Sequence, residues 1–380
     1  MAPSSFQRAH VAANHVSAAA PARGLSAARH AAVLRTLALL AVLLCFGVVV
    51  LGAYVRLSNA GLGCPDWPGC YGHVTPLGAA ADSTTAAPAA APAATTRPLE
   101  MGKAWREMVH RYAAGTLASL LVLIAALGFL WRRERIASPR YLAALVAVVA
   151  VQALLGMLTV TRQLTPIIVT LHLLFGLTTL SLLWWMVLTL WQRRTPTLWP
   201  SRSAAPTHAH APLRTARGLA LLGLLLLGLQ IALGGWTSSN YAAIACPDFP
   251  TCQASWWPRA DFHSAFVLWR DLHVDYEGGI LGGPARIAIH LTHRLGALAA
   301  TLALFTAGLC CLRRALASPV RSAAAVVLLL LALQLSIGIA MVLRGFPLWL
   351  ATAHNAGAAL LLLATVTLNR QLRPAMPLAL

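Results

Sequence analysis

The chain has 380 residues, of which 58% are hydrophobic and only 10% charged. A soluble domain carries about 25% charged residues, so this chain cannot solvate a surface of its own. The 29 Lys and Arg against 10 Asp and Glu give a net charge of +19. The basic residues stand singly between apolar runs rather than in a stripe with aromatics, which excludes nucleic acid as the partner and leaves membrane lipid.

A spanning helix needs about 20 mostly apolar residues. Eight stretches qualify: 33–53, 108–130, 141–161, 167–191, 217–237, 288–311, 323–343 and 348–368. The fold class expected is all-α, a polytopic membrane protein with eight transmembrane helices as two tandem parallel four-helix bundles. Residues 1–32 read as a disordered cytoplasmic tail, 33–191 as an N-terminal unit, 192–216 as a cytoplasmic linker, 217–369 as a C-terminal unit and 370–380 as a second tail. Residues 76–98, rich in Ala, Pro, Thr and Ser, read as an extended insertion in an outer loop.

Basic loops are retained in the cytoplasm. Arg132, Arg133, Arg135 and Arg140 follow the second span, Arg193, Arg194, Arg202 and Arg214 the fourth, and Arg313, Arg314 and Arg321 the sixth. Arg8, Arg23 and Arg29 precede the first span and Arg370 and Arg373 follow the last, so both termini are expected in the cytoplasm. Every acid except Glu134 lies in or at the edge of the two long outer loops, 54–107 and 238–287.

The chain repeats itself at an offset of 182 residues. Leu51-Gly52 leads to Cys64-Pro-Asp-Trp-Pro-Gly-Cys70, and Leu233-Gly234 leads to Cys246-Pro-Asp-Phe-Pro-Thr-Cys252. Gln152, Gly156, Thr170 and His172 match Gln334, Gly338, Thr352 and His354, while His110-Arg111 matches His293-Arg294 at 183. Four spans per unit is an even number, so both units enter the membrane from the same side as parallel repeats.

Of the thirteen histidines, His10, His15, His30, His208 and His210 lie in cytoplasmic segments and His73, His263 and His273 in outer loops, and these read as solvated. His110, His172, His293 and His354 fall on even-numbered spans, three to six residues in from the outer end, or roughly 5–9 Å deep. Each unit thus offers two imidazoles at one level, the natural axial ligands of a haem; a hydrogen-bonded packing role is the alternative. Zinc fits less well, because no third or fourth ligand accompanies each pair. Three residues before His110 stands Glu107, and three before His293 stands His290, so the two sites are expected to do different jobs. Arg111 and Arg294 could pair with haem propionates or snorkel to the outer interface.

Cys45, Cys310 and Cys311 lie in spans and read as small apolar residues. Cys64-Cys70 and Cys246-Cys252, in loops facing an oxidising compartment, are expected to close as disulfides. Stapling and a redox-active role both remain open for them.

Together, Glu107-Met-Val-His110-Arg111, Thr170-Leu-His172, Thr292-His293-Arg294-Leu and Ala353-His354-Asn355 resemble the haem A synthase family of cytochrome oxidase assembly, in its bacterial branch with two outer cysteine pairs. The likeness runs from about residue 33 to 370. It implies an oxidoreductase of the bacterial inner membrane that converts the C8 methyl of haem O to a formyl group by successive hydroxylation. On that likeness haem b resides at His293 and His354, haem O is received at His110 and His172, and Glu107 is catalytic. His290 would sit over the edge of the resident haem. Haem O synthase (protohaem farnesyltransferase) and an unidentified electron-transfer partner are the implied partners. A bis-histidine di-haem electron carrier of cytochrome b type would use the same four histidines but has no use for the Glu107/His290 asymmetry. A parallel-repeat transporter is disfavoured because no span is broken at mid-depth.

Overall fold

The computed structural model of the protein describes residues 19–83, 97–194, 210–271, 274–314 and 316–373. Among these residues the regular structure is helical, with only the isolated bridges Cys70–His73 and Cys252–Ser255. In chain order the α-helices are α1 (Ala19–Leu57), α2 (Pro76–Ser83), α3 (Met101–Leu130), α4 (Pro139–Thr161), α5 (Pro166–Arg194), α6 (His210–Ser239), α7 (Phe262–Ala265), α8 (Gly283–Arg313), α9 (Ser318–Leu343) and α10 (Leu348–Gln371). All but α2 and α7 are long and apolar enough to cross a membrane, eight helices in all. The chain is a multi-pass membrane protein.

Prolines set the short connections. Pro139, Pro284 and Pro319 occupy the first turns of α4, α8 and α9, and Pro166 opens α5, where the absent N–H would have had no helical partner. Two of these helices, α4 and α9, are followed by left-handed residues. After α4, Leu164 (φ 60°) donates its N–H to Thr159 O at 2.8 Å; after α9, Phe346 (φ 60°) donates to Met341 O at 2.8 Å. After α1 and α6 the same closure recurs, with Asn59 and Tyr241 left-handed and Ala60 and Ala242 bonding back to Val55 and Thr237. These wraparound bonds satisfy the last helical carbonyls, and all four obey the 182-residue offset.

Helix contacts fall into two rings: α1–α3–α4–α5 and α6–α8–α9–α10, joined through α1 and α5 against α10 and α6. At the join, Arg56 donates to the carbonyl of Ser238 at 2.8 Å, and the Tyr241 hydroxyl donates to Asn59 Oδ1 at 2.9 Å. Ser238 is the repeat counterpart of Arg56, and Tyr241 that of Asn59. A position can touch its own counterpart only beside the axis relating the two copies, as in a two-fold interface.

The largest apolar core fills the half of the bundle away from the cysteine loops, with Leu34, Leu121, Leu145, Leu180, Met186, Val327 and Leu368 buried. Leu43, Leu130, Leu225, Leu302 and Leu329 are exposed along the spans, an outward apolar surface suited to lipid. At the loop end the second unit reaches over the first. Tyr276 is buried with Leu62, Val160 and Leu164, its N–H bonds Gln163 O at 3.2 Å, and Arg97 pairs with Asp275 and Glu277.

Several expectations change. α1 starts at Ala19, well before residue 33, because the Ala-rich segment has high helix propensity and continues the span. His30 is not merely solvated: its Nδ1 pairs with Glu134 at 2.8 Å and its ring stacks on Trp131 at 4.1 Å. The insertion begins as the helix α2 rather than as extended chain, and the imidazole of His73 packs against Gly78. Residues 1–18 of the expected tail, 84–96 of the insertion, 195–209 of the linker and 374–380 lie outside the described residues, as do His10, His15, His208 and His273.

The cysteines divide as expected: Cys64–Cys70 and Cys246–Cys252 are disulfides, with Cα atoms 4.7 and 4.6 Å apart, and Cys45, Cys310 and Cys311 are free. Alkylation in denaturant should therefore add three adducts by intact mass without reductant and seven after reduction; four or more in the absence of reductant would contradict the pairing.

Candidate functional site

His110 and His293 lie farther from the starts of their helices than from the starts of the apolar runs. His110 is nine residues past the start of α3, His293 ten past that of α8, and His172 and His354 six past those of α5 and α10. At 1.5 Å per residue this is about 9–15 Å from the helix ends. The difference arises because α3 and α8 begin at Met101 and Gly283, several polar residues before the apolar runs.

Each imidazole rests against a glycine of the preceding spanning helix. A Cβ on Gly52 would lie 2.8 Å from His110 Cε1, on Gly156 3.1 Å from His172 Cε1, on Gly234 3.3 Å from His293 Cε1, and on Gly338 3.0 Å from His354 Cε1. Small residues at helix contacts let polar side chains approach a neighbouring backbone in a membrane, and here each clears the width of a ring. The sequence repeat contained all four glycines, but only the fold reveals what they face. His110 and His172 are near enough to interact electrostatically, as are His293 and His354. The structure therefore brings the predicted pairs together. The Nδ1 atoms of His110, His172 and His354 are buried without a hydrogen-bond partner.

In the second unit His293 and His354 line a cavity of about 680 Å³, together with His290, Gly234, Gly338 and Gln334. Its walls are largely aliphatic, including Leu227, Ile231, Leu304 and Leu335, and the first unit contributes Val49, Arg56 and Leu173. The size is that of a pocket for a ligand of drug size or larger. Arg56, which sequence reasoning missed, has a buried Nε with no partner and lies over the Tyr241 ring at 4.2 Å. Its signal was available in the repeat, as an arginine opposite a serine.

One turn from His110, Glu107 is 4% exposed. It lies inside α3 rather than at a loop edge. Oε2 accepts the Cys64 N–H at 2.8 Å and Oε1 accepts from Arg111 at 2.5 Å. The carboxylate thus joins the first disulfide loop to the helix that carries His110. Its counterpart His290 is equally buried but packs edge-on against Phe346 with ring centroids 6.3 Å apart.

Arg111 and Arg294 bind loop backbone in this structure. Arg111 donates to the carbonyls of Cys64, Asp66 and Gly69 at 3.2, 2.8 and 2.5 Å. Arg294 donates to Cys246, Asp248 and Thr251 at 3.3, 2.7 and 2.7 Å. The rigid fork of a guanidinium suits several fixed acceptors at once, so each arginine pins a cysteine loop above its histidine. The aspartate of each loop closes the turn from within. Asp66 accepts from the N–H groups of Tyr71 and Gly72 at 2.6 and 2.8 Å, and Asp248 from those of Gln253 and Ala254 at 2.6 and 3.0 Å.

Fold and site together define a duplicated helical membrane protein with one buried imidazole pair per unit and a disulfide loop held over each pair. Residues 35–366 match the family model described as cytochrome oxidase assembly protein. The chain is 40% identical over 323 residues to a protein of Shewanella oneidensis named Heme A synthase, covering 85% of this chain and 91% of that one. It is 28% identical over 341 residues to the Heme A synthase of Rhizorhabdus wittichii (86% and 90% covered) and 25% over 329 residues to that of Halalkalibacterium halodurans (84% and 91%). The chain belongs to the haem A synthase family of cytochrome oxidase assembly proteins.

The two arginine clamps differ in one respect that can be measured. Arg111 also holds a buried carboxylate, so Arg111→Gln leaves Glu107 without its cation and should cost about 3–5 kcal/mol. Arg294→Gln removes carbonyl contacts and a cation–π contact with Phe249 at 5.6 Å but leaves no buried carboxylate unpaired, and should cost less. Thermal unfolding in detergent should rank Arg111→Gln clearly below Arg294→Gln; equal losses would show that the Glu107 pair adds nothing.

Proposed function

We propose that the protein is a haem A synthase of the bacterial inner membrane, oxidising the C8 methyl of haem O to a formyl group for cytochrome oxidase. The observation that carries this reading is the imidazole pair of each unit, cleared by two glycines and set below a disulfide loop. Two axial nitrogens suffice for an iron that arrives with four porphyrin donors. Among the described residues no three His, Cys, Asp or Glu side chains converge as a set for a bare metal ion.

The second unit would hold haem b between His293 and His354. The aliphatic cavity walls and the two imidazoles suit a flat apolar ring, and the Nδ1 of His354 is buried without a hydrogen-bond partner among the described residues. When bound, haem b would supply one-electron redox chemistry beside the first unit. His290 lines that cavity and stands over the ring edge in this reading.

The first unit would receive haem O at His110 and His172. Oxidation of CH3 to CHO is a four-electron half-reaction, CH3 + H2O → CHO + 4 H+ + 4 e−, with the electrons passing to an acceptor: two hydroxylations give the gem-diol, which loses water. Oxidising the methyl carbon builds positive charge there, and a buried carboxylate offsets that charge more strongly in a low dielectric than in water. Glu107, one turn from His110, is placed for this, whereas His290 in the second unit carries no negative charge. Because Glu107 bonds Cys64 N–H and Arg111, its orientation depends on the closed disulfide loop.

The basic helix ends and both termini face the cytoplasm in this proposal, with the cysteine loops on the outer side. Haem O synthase would supply the substrate, and an electron-transfer partner would accept or donate the electrons.

Two outcomes test the reading. Co-expression with a haem O synthase, followed by haem extraction and chromatography, should yield haem A; unchanged haem O with a bound b-type haem would instead make the protein a di-haem carrier. Glu107→Gln should abolish haem A formation while b-type haem is still bound, and full haem A yield from that variant would remove the carboxylate from the mechanism.

A further inference from the structure

The two units differ at a second pair of positions that the histidines alone do not reveal. In the second unit, Gln230 of α6 donates its amide to the backbone carbonyl of His293 at 3.0 Å, and Gln334 of α9 donates to the carbonyl of His354 at 3.0 Å. Each carbonyl already serves the helix ladder, so the glutamine occupies its second lone pair. Both amides also lie beside the rings: Gln230 Nε2 is 3.0 Å from His293 Nδ1, and Gln334 Nε2 is 3.3 Å from His354 Nε2. The ring contacts depend on which nitrogen carries the proton; the carbonyl bonds do not.

In the first unit neither carbonyl bond is present among the described residues. Gln152, the counterpart of Gln334, approaches the His172 ring at 3.4 Å. The counterpart of Gln230 is Val48, which cannot donate at all. The receiving helix differs to match. Gly296 of α8 leaves room for the Gln230 side chain, because a Cβ there would collide with Gln230 Oε1. The counterpart of Gly296 in α3 is Ala113. Gln230 with Gly296 and Val48 with Ala113 are thus two consistent solutions at one helix contact, one pinning the histidine and one not.

We propose that Gln230, seated against Gly296, is a positioning residue that locks His293 for permanent retention of a porphyrin, and that Val48 with Ala113 leaves His110 free for a porphyrin that must leave after reaction. The inference rests on assigning porphyrins to the two histidine pairs. An amide bonded to a carbonyl inside a membrane has no water to replace it, so the pin resists the helix shift that ligand release requires.

The test measures haem transfer from the purified full-length protein in detergent to excess apomyoglobin. In a His110→Ala background, which confines the porphyrin to the second unit, Gln230→Val with Gly296→Ala should release haem about tenfold faster than the parent, the order of one lost hydrogen bond. The reciprocal Val48→Gln with Ala113→Gly, in a His293→Ala background, should slow release from the first unit by a similar factor. Gln230→Met, close in size but with no hydrogen-bond donor, should also speed release, and it covers the case in which the double variant does not fold. Unchanged release rates in both backgrounds, or a change of the opposite sign in either, would overturn the proposal. Retention of second-unit haem in His293→Ala would instead overturn the porphyrin assignment itself.

Discussion

The contact on which the molecule depends is an imidazole laid against bare helix backbone. A histidine inside a bilayer is costly unless it has work to do, and a ring between two helices needs space that any side chain larger than hydrogen would fill. Gly52, Gly156, Gly234 and Gly338 provide that space at four equivalent places. Since a glycine weakens a helix by roughly 1 kcal/mol relative to alanine, four of them at the histidine level are a cost the fold offsets elsewhere. The offset comes from the packed half beyond the histidines, where Leu34, Leu180, Leu183 and Leu368 are fully buried. The bundle is therefore dense at one end, and in the second unit a cavity opens at the level of His293 and His354.

Duplication then makes difference possible. Both units keep the glycines, the cysteine loop and the arginine that clamps it, and their pseudo-axis passes where Arg56 meets Ser238 and Asn59 meets Tyr241. Within that frame the side chain one turn from the first histidine of each pair has diverged, a carboxylate at Glu107 and an imidazole at His290. The consequence is mechanical as well as electrostatic. Glu107 is bonded to Cys64 and Arg111, so loop, helix and carboxylate move as one in the first unit, while His290 faces the cavity of the second. A structure with two identical units could hold two identical ligands; this one can treat them differently.

Much of this was legible in the sequence, and the reasons it was or was not are physical. Eight apolar runs, two CPDxPxC loops and an offset of 182 are one-dimensional signals, and they yielded the spans, the disulfides and the histidine pairs. How far His110 and His293 stand from their helix ends was not legible, because hydropathy marks where apolar residues begin, whereas α3 and α8 start earlier in the chain, at Met101 and Gly283. The fate of Arg111 and Arg294 was not legible either. An arginine beside a membrane histidine suits an anionic ligand, the interface or a loop equally well, and only the folded position of the loop carbonyls chooses. Asp66 and Asp248 looked like loop acids but close turns through backbone N–H groups. Gln230 was invisible because its first-unit counterpart is a valine, and a search for repeats finds what was kept rather than what was changed.

The most direct test of the account is an experimental density map of the protein purified after co-expression with a haem O synthase. The account predicts two porphyrins, one ligated by His110 and His172 with a substrate methyl directed toward the carboxylate of Glu107, the other ligated by His293 and His354. A map with porphyrin in the second unit alone, and helices α3 and α5 closed on each other around His110 and His172, would contradict it.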